Sequence, residues 1–250
     1  MTRLTDPMTC RPAVVAFALA LLVPSPASAQ KTTDNGVWSG NAEISAVATS
    51  GNSETRTFGV GGEVIYKPGD WTWLGRAAYV ETSADEELRA RSFNGLIEIS
   101  RNITTRLEFY GRGGYLRDLF AGIERRLTTE GGLAYKILGA KAHALRLLVG
   151  AGVTQEARLA GEDLSMGTAN TTGRYEWMLS ATSALTEEAV FVADLHTGNN
   201  WRFANELAVS GALSTLLSVK ISHKLSYLNQ PVPGFRKTDT IIAAALVSTF

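Results

Sequence analysis

The chain has 250 residues with 24 Lys+Arg against 24 Asp+Glu, so its formal net charge is zero. That balance argues against a nucleic-acid partner, which calls for a basic excess, and against an intrinsically disordered chain. A single cysteine, Cys10, leaves no intrachain disulfide and no thiolate metal cluster.

The first 29 residues read as a signal peptide. Arg3 and Arg11 form a positive start, Pro12 to Val23 is an apolar stretch, and Ala27-Ser28-Ala29 is a small-x-small cleavage site. Cleavage after Ala29 gives a mature chain, 30–250, that begins at Gln30 and has lost Cys10. The apolar stretch is far short of the ~20 residues a spanning helix needs, and no later segment reaches that length.

From Trp38 onward the residues alternate with period two, the pattern of a strand with two unlike faces. Twelve strands are predicted, at 38–49, 55–67, 71–82, 87–99, 105–116, 124–137, 142–154, 171–183, 189–197, 201–213, 216–227 and 239–250. Trp71, Trp73, Gly75, Ala77 and Tyr79 share one face, and Thr72, Leu74, Arg76 and Ala78 the other. Many strands match the ~9–11 residues that cross a bilayer when tilted. Links after even-numbered strands are short, such as 68–70 and 214–215. Several after odd-numbered strands are longer, notably 155–170 and 228–237. Short periplasmic turns opposite longer extracellular loops are the asymmetry of outer-membrane barrels.

Aromatic residues gather at strand ends on the apolar face. The periplasmic set is Trp38, Tyr66, Trp71, Trp73, Phe109, Tyr135, Phe191 and Phe250. The outer set is Phe58, Tyr79, Tyr115, Tyr175, Trp177, Phe203 and Tyr227. Two aromatic belts around an aliphatic band suit the two headgroup levels of a bilayer. The expected fold is therefore all-β, a single antiparallel transmembrane β-barrel of about 12 strands, with ten or fourteen as alternatives. Closure pairs every backbone group that lipid cannot hydrogen-bond. A lipocalin-like or sandwich protein is the soluble alternative. Phe250, closing the last amphipathic strand, resembles the signal by which bacterial barrel-assembly machinery recognises its clients.

The face opposite the apolar stripe should line the lumen. Its basic members are Arg76, Arg112, Arg126, Lys136, Arg146, Arg174, Lys220 and Lys224. Its acidic members are Glu43, Glu63, Glu98, Glu108, Glu130, Glu176, Asp194 and Glu206. Eight of each sign can pair across a modest bore, whereas a selective pore calls for rings of one sign. Twelve strands lie between the filled barrels of ~8 strands and the aqueous ones of ~16–18, so a narrow channel and a plugged lumen both fit.

Three histidines are present. His143 sits at a turn and His223 on the lipid-facing stripe. Asp194 and His196 form an Asp-x-His on one strand near the outer rim, where a carboxylate could orient an imidazole base. That pair resembles half of the omptin protease site. The other half has no counterpart here, and no His-x-Ser of the phospholipase type follows His143 or His196. No enzymatic activity, cofactor or metal is expected.

Several short motifs occur in order. They are Trp38-Ser39-Gly40 with Thr49-Ser50-Gly51-Asn52-Ser53, then Gly131-Gly132-Leu133-Ala134-Tyr135, then Leu225-Ser226-Tyr227, Pro231-Val232-Pro233-Gly234 and Lys237-Thr238-Asp239-Thr240, then Phe250. In this succession the chain resembles the DUF481 family of Gram-negative outer-membrane proteins, sometimes labelled salt-induced outer-membrane proteins. The resemblance implies a barrel with a role in envelope adaptation, and carries no catalytic residues with it. The expected location is the bacterial outer membrane, with outer-membrane lipid and lipopolysaccharide as surroundings. Arg89 and Arg91 on the outward face would suit lipopolysaccharide phosphates, and loops 155–170 and 228–237 would meet lipopolysaccharide or a partner. Oligomeric state is left open.

Overall fold

A computed structural model describes residues 36–49, 55–84 and 87–250, apart from the side chains of 47–49, 55, 84, 89 and 90. The predicted signal peptide lies outside the described residues. The strands are β1 (Val37–Thr49), β2 (Thr55–Lys67), β3 (Trp71–Ala84), β4 (Glu87–Asn102), β5 (Leu107–Asp118) and β6 (Ile123–Gly139). They continue as β7 (His143–Arg158), β8 (Leu164–Met178), β9 (Ser183–Asp194), β10 (Trp201–Ala212), β11 (Leu217–Leu228) and β12 (Thr238–Thr249). Each pairs antiparallel with its neighbours in sequence, and β1 meets β12 to close the barrel.

The alternation becomes the wall. Val60, Ile97, Leu133, Val149, Val209 and Ile221 all point outward and stay exposed, an apolar band far larger than a water-facing surface carries. Belts bound it. At one end Trp38 stacks on Tyr66 at 4.3 Å and the Arg101 guanidinium lies 5.3 Å over the Trp71 ring. At the other, Phe93 meets Tyr115 at 5.9 Å and Trp201 stacks on Tyr227 at 4.9 Å. Turns at the first end are short, as in 68–70, 140–142 and 213–216, while 229–237 is the longest described loop at the other. This makes the first end periplasmic in an outer-membrane-type barrel. Ile97→Arg is accordingly expected to lower the unfolding free energy in lipid vesicles by about 2–4 kcal/mol, as a charge does on a barrel's lipid face. A denaturant titration checks this, and an unchanged midpoint would place Ile97 away from lipid.

Three consecutive strands, β7, β8 and β9, differ most from the sequence reading. The loop expected at 155–170 is a turn over 159–163, because β7 and β8 stay paired out to Glu156 and Leu164. Thr154, Glu156, Met166, Thr168 and Asn170 are buried inside the barrel there. A polar inner face beside small outer residues (Ser165, Gly167, Ala169) hides the alternation. Gly161, at φ +82°, takes the left-handed position of the turn. The next turn falls at 179–182, where Ser180 Oγ accepts the Thr182 N–H at 3.1 Å and lies 2.7 Å from the Ser183 hydroxyl. Glu187-Glu188, read as part of a turn, lies within β9. The shift moves Tyr175 and Trp177 to the periplasmic belt, where His143 bonds the Tyr175 hydroxyl at 2.8 Å and stacks on Trp177 at 5.5 Å. It moves Phe191 to the outer belt, 5.8 Å from Trp201.

Candidate functional site: the charged lumen

The inward residues of neighbouring strands converge on the axis, and the barrel places their charges in two main levels. At mid-height a chain of ion pairs crosses the lumen. Arg76 on β3 holds Glu63 at 2.6 Å and reaches Glu188 on β9 at 3.4 Å, and β3 and β9 are six strands apart on opposite walls. Glu188 binds Arg174 at 2.6 Å, and Arg174 continues to Glu98 on β4 at 3.2 Å. Glu98 also binds Arg112 at 2.7 Å and Arg146 at 2.8 Å. Arg112 then holds Glu130 at 3.0 Å, and Arg146 joins Glu108, which takes Lys136. Five basic groups meet five acidic ones (Arg76, Arg112, Lys136, Arg146 and Arg174 against Glu63, Glu98, Glu108, Glu130 and Glu188), so the level is neutral. Guanidinium–carboxylate forks inside a wall of low dielectric hold geometry firmly.

Below Arg112, Tyr110, Ala134 and Leu148 form a small apolar cluster that fills the β5–β7 side. The network is correspondingly asymmetric. At mid-height on the β4–β6 wall side chains are sealed, with Glu98 at 3% exposure and Arg112 at 8%, and only Lys136, toward the periplasmic mouth, reaches water there. Those on the β9–β3 wall stay wet, with Arg76 at 37% and Glu206 at 44%. Glu43 pairs with Lys220, which stands 3.9 Å from Glu206.

Nearer the outer mouth Glu156 gathers Arg126 at 2.6 Å, Arg158 at 2.7 Å and Arg202 at 3.5 Å. Above them loop 229–237 crosses the mouth. Its Val232, with Phe235, packs on Ala121, Ile123 and Ala160 of the opposite wall. In this loop, expected to meet lipopolysaccharide or a partner, the apolar residues Val232 and Phe235 turn inward as a lid.

Most of the predicted lumen residues are thus brought together. Glu176 and Lys224 are not, since neither enters an ion pair with a described residue, and Glu176 is exposed at the periplasmic mouth. Glu156, Arg158, Glu188 and Arg202 escaped the sequence reading. The first three fell in assumed loops or turns, but Arg202 shares its parity with Glu206 and was legible. Asp194 is buried at the lumen rim, yet His196 leaves the strand and is exposed. The Asp194 carboxylate accepts the N–H groups of His196 and Thr197 and the Asn200 side-chain amide, at 2.8, 3.3 and 3.1 Å. It shapes the turn and does not orient the imidazole. Arg91 forms a 3.1 Å pair with Glu81, which also takes the Tyr79 hydroxyl, and the Arg89 side chain lies outside the description. Among the described residues no cluster of three or more His, Cys, Asp or Glu could hold a metal.

A closed antiparallel wall with a lipid-facing band, two aromatic belts and a charged interior defines an outer-membrane-type β-barrel. Residues 42–250 match the family described as "Protein of unknown function, DUF481", and the chain belongs to that family. No curated protein matches. Similar solved structures include the NanC porin (8% identity, 85% of this chain and 98% of that one, TM-score 0.44). They also include an anion-selective porin from Comamonas acidovorans (6% identity, 86% and 99%, TM-score 0.43). A third is the translocator domain of the autotransporter NalP from Neisseria meningitidis (14% identity, 86% and 87%, TM-score 0.39). These are likenesses of fold alone.

Proposed function

We propose that the protein is a narrow passive channel of the bacterial outer membrane, with its bore running along the β9–β3 wall. The observation that carries this reading is a gradient of accessibility across one charge network: Glu98, Arg112 and Glu130 at its β4–β6 side are sealed, while Arg76, Glu188, Glu43 and Glu206 remain wet. The predicted signal peptide supports export. The terminal Phe250, whose backbone pairs with Gly40 at the closing seam at 3.0 Å in both directions, supports recognition by barrel-assembly machinery. No cofactor and no catalytic step enter this reading, and lipopolysaccharide is the surrounding lipid rather than a substrate.

A bore beside a neutral network passes small ions with weak selectivity, because no ring of one sign lines it. The lid of 229–237 makes the open state intermittent. Single-channel recording of the purified protein in a planar bilayer is expected to show small discrete steps. Phe235→Ala, which loosens the lid away from the bore, should lengthen their open time. Folded protein that leaves the bilayer silent in both forms would sink the channel and favour a structural barrel.

A further inference from the structure

The seam between β1 and β12 is unlike every other in the barrel. Its register pairs run only from Asn41–Thr249 to Ile44–Leu246, with Gly40 and Phe250 bonded below them. Each other seam stays paired over nearly the full length of its strands, as β11–β12 does from Leu217–Ser248 to Tyr227–Thr238. Continuing the antiparallel register would set Ser45 opposite Ala245 and Val47 opposite Ala243, and neither pairing forms. Above Ile44, therefore, β1 holds only β2, and β12 holds only β11.

The unpaired part of β12, Thr238–Ala245, is roughly 25 Å long at ~3.4 Å per residue. Tilted by ~40°, it spans about 20 Å of depth, enough to cover the ~15 Å hydrocarbon half of a ~30 Å core. A gap in lipid leaves backbone groups without partners, and here it opens onto the wet side of the lumen. Over most of this height the inner face of β12 is apolar, with Ile241, Ala243 and Ala245 pointing inward, and Asp239 stands on the same face above them, toward the mouth. One strand away and level with Ile241, Lys224 faces the lumen. It feels the carboxylate of Asp118 electrostatically but makes no hydrogen bond or ion pair with any described residue.

We infer that the upper β1–β12 seam is a lateral portal to the outer leaflet, through which a single-chain anionic amphiphile lies with its chain against Ile241, Ala243 and Ala245 and its carboxylate on Lys224. An alkyl chain fits the apolar slit, and the Lys224 ammonium, which no described residue holds in an ion pair, exchanges its longer-range attraction to Asp118 for a direct pair with an anionic head. The inference is independent of ion conduction, since the portal leads to lipid.

The test uses bimane on Ala243→Cys in a Cys10→Ser background, in vesicles of phosphatidylcholine with brominated chains. Val190→Cys, on the lumen face of the fully paired β9, is the control. Ala243 bimane should be quenched several-fold more than Val190 bimane, and dodecanoate should relieve that quenching by competing for the slit. Lys224→Gln should weaken the competition about tenfold. A Ser45→Cys/Ala245→Cys disulfide should abolish the effect while conductance persists. Equal quenching at both positions in folded protein would overturn the portal. Competition that ignores Lys224→Gln would overturn the head-group contact.

Discussion

Glu98→Ala is expected to lower the unfolding free energy of the barrel by about 3–5 kcal/mol, the usual cost of stripping one partner from a buried ion pair. Glu98 is the hinge of the mid-lumen network. Its two oxygens serve Arg112, Arg146 and Arg174 and it is 3% exposed. Removing it leaves three guanidinium groups in a space that water reaches poorly, with Glu108, Glu130 and Glu188 to divide among them. Glu206→Ala removes a carboxylate whose one ion-pair partner among the described residues, Lys220, lies at the loose distance of 3.9 Å. A wet pair of that kind contributes under about 1 kcal/mol. Urea unfolding in vesicles measures both. Adding Arg112→Met to Glu98→Ala should return part of the loss, since the two changes meet at one contact and cannot be additive. Equal effects of Glu98→Ala and Glu206→Ala would mean the network is hydrated throughout. In a planar bilayer, Glu98→Ala should also widen the conducting path, because the chain of pairs between β3 and β9 then lacks its anchor on β4.

The second large effect concerns backbone approach. Gly132 on β6 and Gly150 on β7 face each other across one rung on the inner side of the wall. A Cβ at Gly132 would fall on the Val149 carbonyl oxygen and stand 2.6 Å from Gly150 Cα. Both obstacles are backbone, so no rotamer change relieves them. Gly132→Ala is expected to destabilise by about 3 kcal/mol, at the upper end of ordinary overpacking. Gly111→Ala makes the same chemical change on the outward face, where nothing lies within 4 Å of the added carbon. It should be neutral or slightly stabilising, because glycine in a strand sacrifices backbone entropy. Melting curves of the two variants side by side decide the matter. Similar midpoints would show that the β6–β7 wall is free to spread.

Where the two faces differ in polarity, strands were legible from the residues alone. Thr55–Lys67 was bounded correctly at both ends, and Trp71 and Trp201 were recognised as strand starts. The charges of β3, β5 and β6 fell on the inner face as their parity required. Reading failed where polarity stopped marking the face. Along Gln155–Asn170 polar and small residues fall on both faces and only Leu159, Leu164 and Met166 are large and apolar, and the Glu187-Glu188 doublet looks like a turn until Glu188 is seen against Arg174 and Arg76. One misplaced turn then carried Tyr175, Trp177 and Phe191 to the wrong belts, because strand direction reverses at each turn.

The sequence by itself determined that the chain is a membrane-spanning antiparallel barrel of about twelve strands, with ten or fourteen still open, and with a charged interior. Period-two alternation and aromatic placement are local properties that follow from what lipid and water each accept. Only the tertiary structure decided which charges meet, since partners such as Arg76 and Glu188 lie 112 residues apart and are joined by closure alone. Closure likewise set the lid over the mouth and the unequal seam between β1 and β12. Those depend on how the first and last strands come together around the ring, and no spacing along the chain encodes that distance.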